Sequence, residues 1–295
     1  MRLSCSAGDP WLPPTVDDIQ PQMDRVYGQG KYVVNARDVW THLLHYRCHD
    51  WRRMFLDFAM RAFKKQIEAA EEEVIENAQK KEAQLSQGLD DIQMPDEEND
   101  AFDLTTPEGI AEYVAYQLDG TGDGHTKHFH WKDFNAEEPG LFGTYLLLYT
   151  FAAHLSFLDT LPVDLARSEE RPYTAVLMAI QAVEYMLLRW TTGAYVPPSR
   201  EQKEQFSADN WGDYTESVGP KKQRILRRAT KFLKTLQEWT DEDWEGFLEE
   251  AAAYKEKGRR NRRISSRASS RASSQAPDED DVIEEAEEQF VICRR

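Results

Sequence analysis

Cysteine is scarce in this chain of 295 residues, and the three cysteines lie far apart. Cys5, Cys48 and Cys293 are odd in number and have no close spacing, so the sequence indicates neither a disulfide framework nor a zinc site built from cysteines. Such cysteine usage fits a reducing compartment. Cys48 falls within a helical apolar pattern, which is typical of a packing residue rather than of a nucleophile.

Positive charge is also scarce, because 36 lysines and arginines face 53 aspartates and glutamates and leave a net charge of −17. A surface of this sign repels phosphates and anionic lipids as a whole. It disfavours wholesale nucleic-acid binding and a membrane partner, but it leaves room for a local basic patch.

Long apolar runs and targeting signals are missing as well. The longest apolar stretch, 141–158, is interrupted by Gly143, His154 and Ser156, which predicts a buried helix rather than a membrane span. The amino-terminal residues lack the apolar core of a signal peptide. We therefore expect a protein of the nucleus or the cytoplasm that is neither secreted nor membrane-spanning.

Catalytic signatures are absent from the sequence. There is no G-x-x-x-x-G-K loop followed by Ser or Thr, no G-x-G-x-x-G after a strand and no G-x-S-x-G elbow. Paired carboxylates are frequent, but long acidic runs contain every spacing, so they carry no information. The sequence thus predicts no catalytic residue, no cofactor and no enzyme.

What the sequence does contain is a series of helical patterns. Apolar residues three to four apart predict one long helix from about 38 to about 85. Thr106 followed by Pro107 has the residue types of a cap and a first helical position. The segments 140–158 and 174–192 are apolar enough to be central helices.

The ends of the later helices are marked by their residue types. Gly193 stands where a left-handed cap belongs, Pro197 and Pro198 prevent the helix from continuing, and Thr240 begins a capping box. We find no alternation typical of strands. The prediction is an all-α fold, an irregular helical bundle of about six helices with an acidic internal linker and a disordered C-terminal tail.

Composition divides the chain into three parts. Residues 1–35 are punctuated by proline and glycine, which predicts a poorly ordered segment. Residues 36–257 form the predicted helical domain, with the acidic stretch 86–104 as a flexible linker inside it. Residues 258–295 are Arg/Ser-rich and then acidic, a composition that cannot bury enough apolar surface to offset chain entropy. We therefore predict a disordered tail.

Three histidines lie close together after a Gly/Asp-rich turn. His125, His128 and His130 follow the pattern H-x-x-H-x-H, and imidazoles at this spacing are candidate ligands of zinc or nickel. Trp131 and Phe134 favour the other interpretation, a loop that docks on the core by its aromatic residues. A metal-dependent enzyme that uses these histidines is kept as an alternative function.

Seven cations with no acid among them occupy the fourteen residues from 221 to 234. They are Lys221, Lys222, Arg224, Arg227, Arg228, Lys231 and Lys234. Apolar residues between Ile225 and Leu236 form the opposite face of this segment, so we predict a cationic amphipathic helix from Pro220 to about Glu238. It is a candidate surface for a partner or for phosphates. Alternatively, it packs against the acidic region 66–108 of the same fold.

The tail carries a second basic cluster, followed by serines. The residues are Arg259, Arg260, Arg262, Arg263, Ser265, Ser269 and Ser270. The arginines have the composition of a nuclear-localisation cluster. The Arg-x-x-Ser spacing suits a basophilic kinase, and each phosphate would add roughly −1.5 to −2 of charge.

The stretch 173–250 resembles uncharacterised proteins of basidiomycete fungi. The residues that carry the resemblance are Ala179-Ile-Gln-Ala-Val-Glu-Tyr185, Trp190-Thr-Thr-Gly-Ala-Tyr195 and Phe206-Ser-Ala-Asp-Asn-Trp-Gly-Asp-Tyr214, with Trp239 or Trp244 in a last helix. These fungal proteins occur in large lineage-expanded sets, some linked to mobile elements. The resemblance implies a fungal source and a fold element, and it brings no catalytic residues.

The leading hypothesis from the sequence is a non-enzymatic helical protein that acts as a protein-interaction or scaffold protein. The first alternative is a nucleic-acid-associated accessory protein, linked to mobile elements, that uses 221–234 and the tail. The second is the metal-dependent enzyme. A protein partner is therefore expected, with nucleic acid as the alternative.

Overall fold

A helix of 48 residues, α2 (Val39–Ser86), is the longest element, and it forms where the apolar spacing predicts it. The computed structural model describes residues 9–12, 15–35, 39–86, 102–121, 126–134, 136, 140–160, 171–199, 201, 204–219 and 222–255. The predicted tail and nearly all of the predicted linker lie outside these residues.

The prediction of a mostly helical fold is confirmed. The described ranges contain eight α-helices, more than the six expected, and one two-stranded sheet. Besides α2, the elements are α1 (Val16–Tyr27), α3 (Pro107–Leu118), a 3₁₀ turn (His128–His130), α4 (Tyr145–Leu158), α5 (Tyr173–Leu188), α6 (Ala208–Trp211), β1 (Tyr214–Gly219), β2 (Lys222–Leu226), α7 (Leu233–Glu238) and α8 (Asp241–Ala252).

Helices α4 and α5 form the centre of the core, as their apolar composition predicts. On α4 every residue from 146 to 153 is buried, and on α5 every residue from 174 to 183. The amino-terminal half of α2 packs across both helices and buries Phe55 and Phe63 completely. No helix in the described ranges combines the length and apolar character needed to cross a bilayer.

The carboxyl-terminal half of α2 extends beyond this core. Every residue from 71 to 80 is exposed, and Val74 and Ile75 are each 56% exposed. At a rise of about 1.5 Å per residue, the part after residue 70 is about 24 Å long. The change from a dense apolar stripe to a charged, sparse one in the sequence marks the point where the helix leaves the core.

The amino-terminal segment differs from the prediction of poor order. Trp11 is buried, and its indole N–H donates to Gln181 Oε1 at 2.5 Å. The Arg52 guanidinium donates to the carbonyls of Pro10 and Trp11, both at 2.9 Å. Helix α1 follows, with Ile19 buried in a small cluster of its own. These bonds join residues distant in the chain, so local composition does not reveal them.

The predicted cationic helix from Pro220 to Glu238 is wrong, and so is the expectation of no strands. The chain forms the antiparallel pair β1–β2, in which Tyr214 lies opposite Leu226, and only α7 of the predicted helix is helical. The apolar spacing after Leu226 fits a helix, but hydrogen bonds to Asp213 hold a turn there instead.

Gly193 takes the left-handed conformation that the sequence predicts, with φ of +78°. A Cβ at this position would lie 1.9 Å from the carbonyl oxygen of Pro107, at the start of α3. The close approach of α3 to the end of α5 therefore depends on the absence of a side chain here.

We predict opposite effects for alanine at two glycines. Gly193→Ala is expected to lower the free energy of unfolding by more than about 1 kcal/mol, because it adds both a steric clash and an unfavourable φ. Gly246→Ala is the matched control, since it lies within α8 with no atom within 4 Å of its added Cβ. It is expected to stabilise by about 0.5 kcal/mol or more. Urea denaturation measures both, and destabilisation of similar size in both variants would contradict the prediction.

His154 on α4 is held against α2. Trp51 Nε1 lies 3.4 Å from His154 Nδ1 and donates to it, so Nδ1 carries no proton. Burial lowers the pKa of His154 from 6.5 to about 4, because the imidazolium form loses its hydration. The neutral ring is the form that the core accepts.

This lowered pKa predicts a loss of stability in acid. The unfolded chain binds a proton at His154 below about pH 6.5, and the folded chain does so only near pH 4, so stability falls as the pH drops through this window. The loss is expected to be on the order of 3 kcal/mol. His154→Gln should flatten the dependence, whereas His49→Gln, at an exposed position on α2, should leave it unchanged. Urea denaturation at several pH values tests this, and an unchanged slope in His154→Gln would contradict it.

Candidate functional site: a basic cleft beside the hairpin

A cleft of about 280 Å³ lies between α5, the β1–β2 hairpin and the turn that follows it. We call it the basic cleft, because the charged residues that line it are Lys127, Arg227, Arg228, Lys231 and Glu184. Four cations thus face a single carboxylate in a chain whose net charge is −17. The cleft is a local reversal of the protein's overall charge.

Arg228 is held in place by two contacts. Its Nη1 donates to the backbone carbonyl of Asn210 at 2.6 Å, and its guanidinium lies 3.9 Å from the centre of the Trp211 ring. Trp211 is buried and fixed in turn, because Gln181 Nε2 donates to its carbonyl at 3.0 Å. The guanidinium is therefore positioned before any ligand arrives.

Asp213 organises the turn that carries the cations. Its Oδ1 accepts hydrogen bonds from the backbone N–H groups of Ala229 at 2.7 Å and Thr230 at 3.1 Å. Its Oδ2 accepts a bond from the Thr230 hydroxyl at 2.5 Å. These three bonds reach across the base of the hairpin, so Asp213 decides where the chain runs between Arg228 and Lys231.

The other side of the basic cleft is formed by Lys127 and His130. Lys127 Nζ pairs with Glu184 Oε1 of α5 at 2.8 Å. The backbone N–H of Lys127 donates to His130 Nδ1 at 2.8 Å, which fixes the orientation of this ring. His130 is buried, and its ring centroid lies 4.7 Å from that of Phe232.

The seven predicted cations have different locations. Arg227, Arg228 and Lys231 line the basic cleft, whereas Lys234 pairs with Glu238 of its own helix at 3.7 Å. Lys222 and Arg224 belong to β2, and Lys221 lies outside the described residues. The alternative prediction, packing against the acidic region 66–108, does not hold for two of these cations. Arg228 contacts Asn210 and Trp211 of α6, and Lys234 pairs within α7.

The three predicted metal ligands do not form a metal site within the described residues. His128 stacks on Tyr116 at 4.1 Å and its Nδ1 lies 2.9 Å from the Tyr116 carbonyl oxygen, while His130 faces the core. His125 lies outside the described residues. Nowhere in the described ranges do three His, Cys, Asp or Glu residues come together as ligands. The loop is anchored by Phe129, which is fully buried, whereas Phe134, one of the two aromatic residues expected to dock, is 39% exposed.

The environment of Cys48 agrees with its interpretation as a packing residue. The side chain is 2% exposed, and burial raises the pKa of the thiol, partly offset by the charge of Arg52. A raised pKa disfavours the thiolate, which is the nucleophilic form.

Sequence reasoning missed Lys127 and Asp213 as parts of the site. Asp213 ends the Asn210-Trp-Gly-Asp segment, and the Gly219-Pro220 pair after a β-branched stretch is a turn signal that could have indicated the hairpin. The residues of the tail cluster, from Arg259 to Ser270, lie outside the described residues.

Comparison of the chain with protein-family models, with curated proteins and with solved structures finds no match. The resemblance to basidiomycete proteins over 173–250 therefore stays a prediction.

The role of Asp213 can be tested directly. Asp213→Ala is expected to lower the free energy of unfolding by about 1–3 kcal/mol, because the donors of Ala229 and Thr230 lose their acceptor. Asp213→Asn keeps one acceptor oxygen and should lose less. Urea denaturation gives the stabilities, and hydrogen exchange should become faster at the amides of residues 229 and 230 in the alanine variant. Unchanged exchange at both amides would contradict the assignment.

Proposed function

We propose that this protein is a non-enzymatic protein-interaction protein, and that the basic cleft is its contact site for an acidic segment of a partner protein. The observation that carries the proposal is the reversal of charge in the cleft. Three cations from one short turn, together with Lys127, face Glu184 alone. Charge complementarity of this kind selects a partner and accelerates its association.

The hairpin beside the basic cleft supports an extended conformation for that partner segment. In the described residues the sheet has only two strands, so their outer edges have no third strand. An extended peptide can add to such an edge through backbone hydrogen bonds. Tyr214 and Ile225 are 53% and 63% exposed and offer apolar contacts along the hairpin. Tyr214 also lines the cleft, which brings the two surfaces together.

Selection from a displayed library of random peptides on the full chain tests this proposal. We expect enrichment of peptides with several aspartates or glutamates, because they complement the four cations. The double variant Arg227→Gln/Lys231→Gln should lose most of this enrichment. Lys234→Gln is the matched control, since this lysine pairs with Glu238 outside the cleft. Enrichment that is absent, or equal on the chain and the double variant, would overturn the proposal.

The second candidate is a nucleic-acid-associated accessory protein, and it rests on the same cations as phosphate contacts. Its affinity would fall steeply with salt, because each neutralised phosphate releases counterions. Filter binding of DNA and RNA between about 50 and 200 mM salt separates the two candidates. Absence of binding at low salt would reject the second one. A fungal source, a mobile-element link and a nuclear location rest on the resemblance and on the tail sequence.

A further inference from the structure

We propose that the basic cleft receives the phosphorylated side chain of a serine or threonine in a partner protein, an inference that rests on the proposed protein-interaction function. Lys127 and Glu184 are already paired at 2.8 Å. Arg227, Arg228 and Lys231 also line the cleft, so its lining cations outnumber its lining carboxylate by three. A carboxylate would compensate one of them. A phosphomonoester carries roughly −1.5 to −2 and has three acceptor oxygens.

The fixed guanidinium of Arg228 is suited to binding a phosphate. Its guanidinium is fixed by the Asn210 carbonyl at 2.6 Å and by the Trp211 ring at 3.9 Å. A guanidinium has five N–H donors in a planar fork that matches two phosphate oxygens. Because the side chain is already ordered, little rotamer entropy is lost when a ligand binds.

The turn places two further cations around the same space. Arg227 precedes Arg228, and Lys231 follows after the two residues that Asp213 holds. Both side chains are exposed at the mouth of the cleft, and Lys231 Nζ lies 5.1 Å from the centre of the Phe232 ring. Basic side chains would thus contact a phosphate inside the cleft from several directions. Sites that recognise phosphorylated residues typically use such clusters of basic side chains.

Two observations favour a phosphorylated protein over a nucleic acid. The cleft, with a volume of about 280 Å³, is a local feature beside the hairpin rather than a track for a polymer. A chain with a net charge of −17 would also repel the further phosphates of a nucleic acid.

Tyr214 and Leu226, which pair at the base of the hairpin, both line the cleft. A segment along the hairpin edge would therefore have a side chain within reach of the cations.

The test uses the full chain, immobilised, and oriented peptide libraries with degenerate flanks around one fixed central residue. Three libraries carry phosphoserine, glutamate or serine at the centre, and a fourth probe is single-stranded oligouridine. We expect the phosphoserine library to be retained at least about fivefold more than the serine library and more than the glutamate library. Arg227→Gln and Lys231→Gln should each weaken this retention several-fold, whereas Lys234→Gln should not. The substituted positions are exposed, so unchanged thermal melting is expected to show that the variants fold.

The outcomes separate this inference from the proposed function. Equal retention of the phosphoserine and glutamate libraries, with both lost in the cleft variants, overturns phosphate recognition and leaves acidic-segment binding in place. Retention of the serine library to the same extent as the others, or no retention of any library, overturns both. Binding of oligouridine alone, weakened by the cleft variants, replaces both with the nucleic-acid candidate.

Discussion

The burial of α5 is the constraint on which the rest of the described structure depends. Thirteen of its 16 residues are buried, and α2, α3, α4 and α7 all pack against it. Such a helix exposes little of its surface to solvent, so a buried polar side chain on it must meet a specific partner. Gln181 and Glu184 are the two charged or amide-bearing residues that do so, and both lie at the basic cleft.

Gln181 and Glu184 connect the buried core to the basic cleft through their hydrogen bonds. Gln181 accepts from the indole of Trp11 and donates to the carbonyl of Trp211, and Trp211 in turn lies beneath the Arg228 guanidinium. Glu184 positions Lys127 on the opposite side. Two of the four cations, Arg228 and Lys127, are therefore held by hydrogen bonds and ring contacts that begin in the interior, and such preorganisation favours binding.

The basic cleft stands out because acidic residues outnumber basic ones in the chain as a whole. Part of this acidic excess lies in the exposed half of α2, where residues 71–80 include four glutamates and one lysine. Against this background a small positive cleft is an exception that attracts a single anionic group while the surrounding surface repels polyanions. The same contrast explains why overall charge argues against nucleic acid even though the ligand that we propose for the cleft is a phosphate.

The sequence by itself determined the long central helices and several caps, because apolar periodicity and capping residues act within a few positions of one another. Helix α2, the cap at Thr106 and the left-handed Gly193 all follow from local patterns. The sequence also supplied Arg227, Arg228 and Lys231 as candidates. Only the tertiary structure decided that they lie on a turn after a hairpin rather than along a helix, and that Trp11 belongs to the core. The physical reason is sequence distance: Asp213 reaches 17 residues to Thr230, and Trp11 reaches 170 residues to Gln181. Hydrogen bonds of that range override a periodicity that is compatible with either structure.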